Sequence, residues 1–192
     1  FSQHYNFRNY GVSDGLPQSQ VYALVQDKHD YLWAGTRGGG VAKFDGLKFT
    51  QYTESDGLAN NFIRCQTIDK QGNIWFGTDE GLSKFDGKQF INFDQKQGLN
   101  NIIINDLCFN SDNKLIVATE NGLFIENNQQ FTPIDFPQKR IICLYKNADN
   151  RIWAGTQFGV YILENNKVVQ IINEKNGLSN NDVTAITADE FG

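Results

Sequence analysis

The stretch NIWFGTDEGL, Asn73–Leu82, has two near copies in the same chain: YLWAGTRGGG at Tyr31–Gly40 and RIWAGTQFGV at Arg151–Val160. Trp33 and Trp75 stand 42 residues apart, and Trp75 and Trp153 stand 78 apart, which leaves room for one more unit between them. That unit is KLIVATENGL, Lys114–Leu123, with Ile116 in the tryptophan's place. Gly-Leu pairs keep the same beat. Those at Gly15, Gly57 and Gly98 are spaced 42 and 41 residues apart, and Gly177 follows 79 later. The pair due between Gly98 and Gly177 is missing where DFPQKRII, Asp135–Ile142, shortens the connection. A fixed period near 40 residues marks a repeat architecture.

Within a period the residues read as four short strands. In the second unit these are FIRCQTID (Phe62–Asp69), NIWFGT (Asn73–Thr78), LSKFD (Leu82–Asp86) and QFINFD (Gln89–Asp94). They are rich in Ile, Phe, Trp and Thr and bounded by Gly, Asn and Asp, and none is long enough for an amphipathic helix. The connections agree. Between first and second strands the units read DKHDYLW, DKQGNIW, NSDNKLI and NADNRIW. Their fourth positions, Asp30, Gly72, Asn113 and Asn150, are residue types that tolerate a left-handed backbone. Asp45-Gly46, Asp86-Gly87 and Asn127-Asn128 suit two-residue type I′ hairpins between third and fourth strands.

Four-stranded antiparallel units of about 40 residues define an all-β fold, the β-propeller, in which each blade covers the face of the next. We expect one propeller region over residues 1–192, with blades at about 21–53, 62–94, 103–135 and 140–172. Strands at 4–10 and 182–189 would belong to an incomplete further blade. Three arrangements follow: a fragment of a larger propeller, a small ring closed by its terminal strands, or two chains completing one ring. A fragment of a longer receptor is favoured, and unpaired blade edges would then drive association into a homo-oligomer. In this frame Trp33, Trp75 and Trp153 are spacers between blades. Gly35, Gly77 and Gly155 permit close approach, and the threonine after each bonds at the strand end.

Bulk properties exclude several functions. A formal charge of −5 argues against nucleic acid as a partner. No apolar run reaches the roughly 18 residues of a membrane-spanning helix. Cys65, Cys108 and Cys143 lie in apolar runs without a CxxC spacing, which suits buried thiols and gives zinc or redox chemistry no support. His4 and His29 are the only histidines, His29 reads as a solvated residue of the turn DKHDYLW, and no phosphate loop, nucleophile elbow or zinc motif is present. We expect no catalytic residues, no metal and no cofactor. Asp27, Asp69, Asn110 and Asn147 recur once per unit, as turn caps do.

Candidate binding chemistry lies in the loops after Gly-Leu, which precede the innermost strands: PQSQV, ANNFI, NNIII and SNNDV. Gln18, Asn60, Asn101 and Asn180 share one aligned position, and Ser19, Asn61 and Asn181 the next. These amides would either offer donors and acceptors to sugar hydroxyls at one end of the channel or shape the turns themselves. Along the inner strands the column Ala23, Cys65, Asp106, Cys143 and Ala185 is small, as a crowded axis requires, with Asp106 its one charge. Asp106 and Arg64 complete the candidate ligand-binding set.

The unit DGLANNFIRCQTIDKQGNIWFGTDEGLSKFDGKQF, Asp56–Phe90, resembles the two-component regulator propeller repeat, and the resemblance extends over essentially the whole chain. Its most specific part combines Gly-Leu, the Asn-Asn loop, IDKQGNIWFGT and GLSKFDG. The third unit, without its Trp, and the fourth junction, without its Gly-Leu, depart from the pattern. The resemblance implies a periplasmic sensor region ahead of a β-sandwich, a membrane helix and a histidine kinase, reporting a nutrient such as a glycan. A propeller enzyme, either a lyase or a glycan-active protein, and a protein–protein scaffold are the alternatives, since the fold hosts all three.

Overall fold

A computed structural model describes residues 7–99 and 103–189. They form sixteen strands in four antiparallel meanders, each with its strands in sequence order. The first blade comprises β1 (Val21–Gln26), β2 (Leu32–Thr36), β3 (Val41–Phe44) and β4 (Phe49–Tyr52). The second comprises β5 (Ile63–Ile68), β6 (Ile74–Thr78), β7 (Gly81–Phe85) and β8 (Phe90–Phe93). The third holds β9 (Ile104–Phe109), β10 (Leu115–Thr119), β11 (Gly122–Asn127) and β12 (Gln130–Ile134). The fourth holds β13 (Cys143–Lys146), β14 (Ile152–Thr156), β15 (Gly159–Glu164) and β16 (Lys167–Ile172). The inner strands pack in the order β1, β5, β9, β13, so the blades stack as they follow in the chain.

The repeated decapeptide is the packing unit. Trp33 and Trp75 are 2% and 5% exposed. The Trp33 indole stacks on Tyr52 of its own blade and meets Phe85 of the next at a ring separation of 5.4 Å. Trp75 stacks on Phe93 and shares a buried cluster with Leu107, Leu115, Phe124 and Phe131 of the third blade. In the third blade Ile116 fills the same role against Ile152, Tyr161 and Leu163. Trp153, in the fourth blade, is half-buried. Two residues on, the glycines let the next segment at the axis come close, an inner strand for Gly35 and Gly77. A Cβ at Gly35 would clash with Ile63, one at Gly77 would lie 2.7 Å from Ile104, and one at Gly155 would lie 2.9 Å from Val183. Thr36, Thr78, Thr119 and Thr156 each donate to the carbonyl that closes their β-turn.

The turns carry the tryptophans. Asp30, Gly72, Asn113 and Asn150 all take positive φ, between 59° and 89°. Asp27 Oδ1 accepts the amides of His29 and Tyr31, and Oδ2 accepts Trp33 Nε1 at 2.8 Å. Asp69 does the same for Gln71, Asn73 and Trp75 Nε1. Burial alone would push both carboxyls up, but the bonds from the indoles and turn amides outweigh it and hold them below the ordinary carboxylate range. In the fourth blade Asn147 Oδ1 is taken by Arg151, and its amide nitrogen cannot accept. Trp153 Nε1 is left buried without a partner.

Three expectations need correction. The outer hairpins at Asp45-Gly46 and Asp86-Gly87 are not type I′, because only Gly46 and Gly87 take positive φ. Each aspartate precedes the turn and its carboxylate accepts the amides two and three residues on, so one left-handed residue suffices. In the third blade both central residues are left-handed, but they are Asn128 and Gln129, one position later than Asn127-Asn128. Finally, residues 182–189 form no strand, nor do 7–10, while 4–6 lie outside the described residues. First and fourth strands of a blade are never neighbours in the observed order, so neither segment has a ladder partner in the other. Residues 181–183 are held instead by Gly159 N to Asn181 O at 2.8 Å and Val183 N to Thr156 O at 3.0 Å.

The Gly-Leu landmarks end short 3₁₀ turns at Val12–Asp14, Glu54–Asp56 and Gln95–Gln97, with the glycine at φ near 100° and the leucine buried beneath. Two outcomes test the packing account. Trp75→Ala should lower unfolding free energy in urea by about 3–5 kcal/mol, and Trp153→Ala by clearly less. Asn147→Asp should stabilise by about 1 kcal/mol by giving Trp153 an acceptor. That carboxyl's folded pKa would be depressed, so the gain should be present above the ordinary carboxylate pKa and vanish as pH falls through the lowered value.

Candidate functional site

The candidate site is the rim of the channel where the inner strands begin. In the first three blades the ladder between inner and second strands skips one residue: Tyr22, Arg64 and Asn105 are the unpaired positions. A β-bulge of this kind turns a side chain out of the sheet and commonly lies beside a functional site. All three residues occupy the same place in the repeat, yet they are a phenol, a guanidinium and an amide. The turns after the second strands supply their neighbours, with Arg37, Asp79 and Glu120 in equivalent positions.

These groups form a chain across the blade junctions. Arg64 Nε pairs with Asp79, and its terminal nitrogen reaches Asn105 Oδ1 at 3.3 Å. Asn105 Nδ2 donates to Glu120 Oε1 at 3.0 Å and to the Ile141 carbonyl at 2.9 Å. Glu120 is held in turn by Arg140 Nε at 3.1 Å. Arg37 lies over the Tyr22 ring, 5.9 Å from its centroid. A pocket of about 190 Å³ opens between the first two blades, lined by Tyr22, Arg37, Phe62, Ile63, Arg64 and Asp79. Further in, the inner strands border a groove of about 380 Å³ along the axis.

The loop amides are engaged in shaping their own turns. Gln18 Oε1 accepts from Ser19 N and Oγ, Asn60 Oδ1 from Phe62 N, and Asn180 Oδ1 from Asp182 N. Asn61 and Asn181 exchange bonds with Glu54 and Glu174, which pins each loop to its 3₁₀ turn or its equivalent. Asn101 lies outside the described residues. Asp106 borders the axial groove and clips the third blade to the fourth by accepting Leu144 N at 2.6 Å, with Leu107 N at 2.8 Å. Burial pushes its pKa up, and the two amide bonds only partly offset this. Among the described residues, Arg64 is the one predicted site residue that joins the rim network.

Sequence reasoning missed Tyr22, Arg37, Phe62, Asn105 and Glu120. The signal was present in the aligned column Tyr22, Arg64, Asn105, Ile142, Thr184, which changes chemistry at every unit. It was also present in the turn TRGGGV, one residue longer than TDEGL or TENGL. All three cysteines are free thiols, and burial raises Cys108 to about 12 and Cys143 to about 11. His29 is an exposed turn residue whose amide bonds Asp27.

Residues 15–38 and 57–80 match the family model described as two component regulator propeller. Those two segments, a quarter of the chain, are thus similar to two-component regulator propeller repeats. Over 51 residues it is 43% identical to "Histidine kinase P4" of Formosa agariphila, a stretch that covers 27% of this chain and 4% of that protein. Among solved structures, the extracellular domain of the hybrid two-component system BT3049 from B. thetaiotaomicron superposes with a TM-score of 0.71 at 24% identity, over 77% of this chain and 22% of that one. Virginiamycin B lyase from Staphylococcus aureus superposes at 0.64 with 12% identity, over 76% of this chain and 53% of that one. These likenesses establish the propeller fold. No helix among the described residues is long and apolar enough to cross a membrane.

Asp106 gives a test of the axis. Its folded pKa is raised, so the native state binds the proton more tightly, and its effect on stability worsens as pH rises from the ordinary carboxylate pKa through the raised value. Asp106→Asn removes the buried charge and keeps one acceptor, for Leu144, at the cost of the bond from Leu107, the smaller of the two effects. It should raise the melting temperature at pH 7, with the difference shrinking as pH falls toward the ordinary carboxylate range.

Proposed function

We propose that this chain is the propeller part of an extracytoplasmic sensor in a two-component signalling receptor. In this reading the rim recognises a nutrient such as a glycan, and the signal passes to downstream β-sandwich and kinase modules. One observation carries the proposal. Three blades place a bulged residue at the same rim position and fill it with different hydrogen-bonding chemistry, while the scaffold beneath stays constant. Recognition of a polyhydroxylated ligand needs such a set of fixed, dissimilar polar groups beside aromatic faces. The regulator repeats and the histidine-kinase relative support the signalling context.

Lyases share this fold at 12% identity, and function on a shared fold lives in its site, so the sensor reading rests on the rim residues themselves. Arg64 and Asn105 would contact ligand hydroxyls, with Asp79 and Glu120 holding them in place. Association through unpaired blade edges is a separate proposal, read by light scattering as a mass above the monomer.

The test is thermal unfolding of the chain with a panel of oligosaccharides. A ligand present at about a hundred times its Kd should stabilise by about 2.7 kcal/mol. Asn105→Ala should weaken that response by about tenfold in concentration. A panel that gives no shift, or a saccharide that is turned over into products, would contradict the sensor reading.

A further inference from the structure

We propose that the pocket between the first two blades, walled by Tyr22, Phe62 and Arg37, holds the carboxylate-bearing ring of an acidic saccharide such as a uronate. The inference rests on the saccharide-binding reading above and narrows it to a charge class and a place.

At the rim Arg64 is paired with Asp79 and Arg140 with Glu120, so each cation is already neutralised by a turn carboxylate. The first blade puts Arg37 where the other two put those carboxylates. Among the described residues Arg37 forms no ion pair; its guanidinium lies over the face of Tyr22 instead. The junction therefore carries an uncompensated positive charge in a chain whose formal charge is −5.

The backbone around it is built for an opening. The turn Arg37-Gly38-Gly39-Gly40 is one residue longer than its counterparts, and Gly38 sits at φ 93°. A Cβ there would come within 3.4 Å of the Phe62 ring, so the ring lies directly over bare backbone. Arg37 and Phe62 are joined by an isolated antiparallel bridge, which fixes the cation and the aromatic side by side. Phe62 is 42% and Tyr22 53% exposed. Two aromatic rings are thus left about half open to solvent beside a guanidinium without an ion pair, rather than folded into the inter-blade core as Trp33 is.

Each part matches one feature of a uronate. The C–H face of a sugar ring packs on Tyr22 or Phe62, and the guanidinium fork donates two parallel N–H bonds to a carboxylate. The cavity, about 190 Å³, suits one ring rather than a chain, so neighbouring sugars would run along the rim toward Arg64 and Asn105. A neutral sugar would use the aromatic faces and leave Arg37 unused.

The test is titration calorimetry of the 192-residue chain with trigalacturonate, neutral galactotriose and benzoate, repeated with Arg37→Gln. Arg37 is exposed, and an unchanged melting temperature confirms that the variant is folded. Trigalacturonate should bind about tenfold more tightly than galactotriose, a preference that weakens with added salt and that Arg37→Gln removes. Equal affinity for the two trisaccharides, or a preference that survives Arg37→Gln, would overturn the acidic assignment while leaving saccharide binding intact. Binding of benzoate but of neither saccharide would overturn both, as would no binding at all.

Discussion

The structure depends on a tryptophan held at both ends. Its indole N–H is fixed by an aspartate from the turn of its own blade, and its face is pressed against the next blade. Two residues further along the same strand a glycine lets the neighbouring inner strand come into contact. Blades are therefore close at the axis and spread apart where the indole sits, and a stack of such wedges must turn about a centre. Burying an indole of about 200 Å² stabilises by about 5 kcal/mol, so the wedge is also a main source of cohesion. The third blade shows how far this can be relaxed. Ile116 replaces the indole, Ala118 the glycine, and the junction stays closed with Ile141 fully buried beside them.

Most of this was legible in the sequence because it repeats. The tryptophan spacing, the left-handed positions at Asp30, Gly72, Asn113 and Asn150, and the recurring turn aspartates each appear several times, so a coincidence at one is corrected by the others. The outer hairpins were misread for a local reason. Asp45 and Asp86 replace a backbone acceptor with a carboxylate, which shifts the turn by one residue without changing the Asp-Gly signature.

The rim was far less legible. Whether Arg64 points to the rim depends on a bulge, and a bulge is a property of strand pairing that a single strand's alternation does not reveal. The loop amides had the right composition for binding but also for Asx turns, and their carbonyl oxygens are occupied by the turns. Arg37 escaped notice because a repeat-based alignment treats an extra glycine as noise. In a repeat protein the constant positions describe the scaffold. The positions that break the pattern on that scaffold vary in chemistry, and here they line one rim across successive junctions.

Such a division suits a recognition surface. The ladders, wedges and caps bear the stability, so residues such as Tyr22, Arg37 and Asn105 can differ from blade to blade without loosening the stack. The paired charges from Asp79 to Arg140 also tie neighbouring blades together, which makes the rim one connected surface.

The most direct test of the wedge is the indole N–H region of a ¹⁵N-correlated NMR spectrum recorded across an acid titration. The account predicts three indole signals. Those of Trp33 and Trp75 should be slow to exchange with solvent and move together with carboxylates that titrate below the ordinary range, while Trp153 should lack that carboxylate dependence. Three indoles that exchange rapidly and alike, with no response to carboxylate protonation, would contradict it.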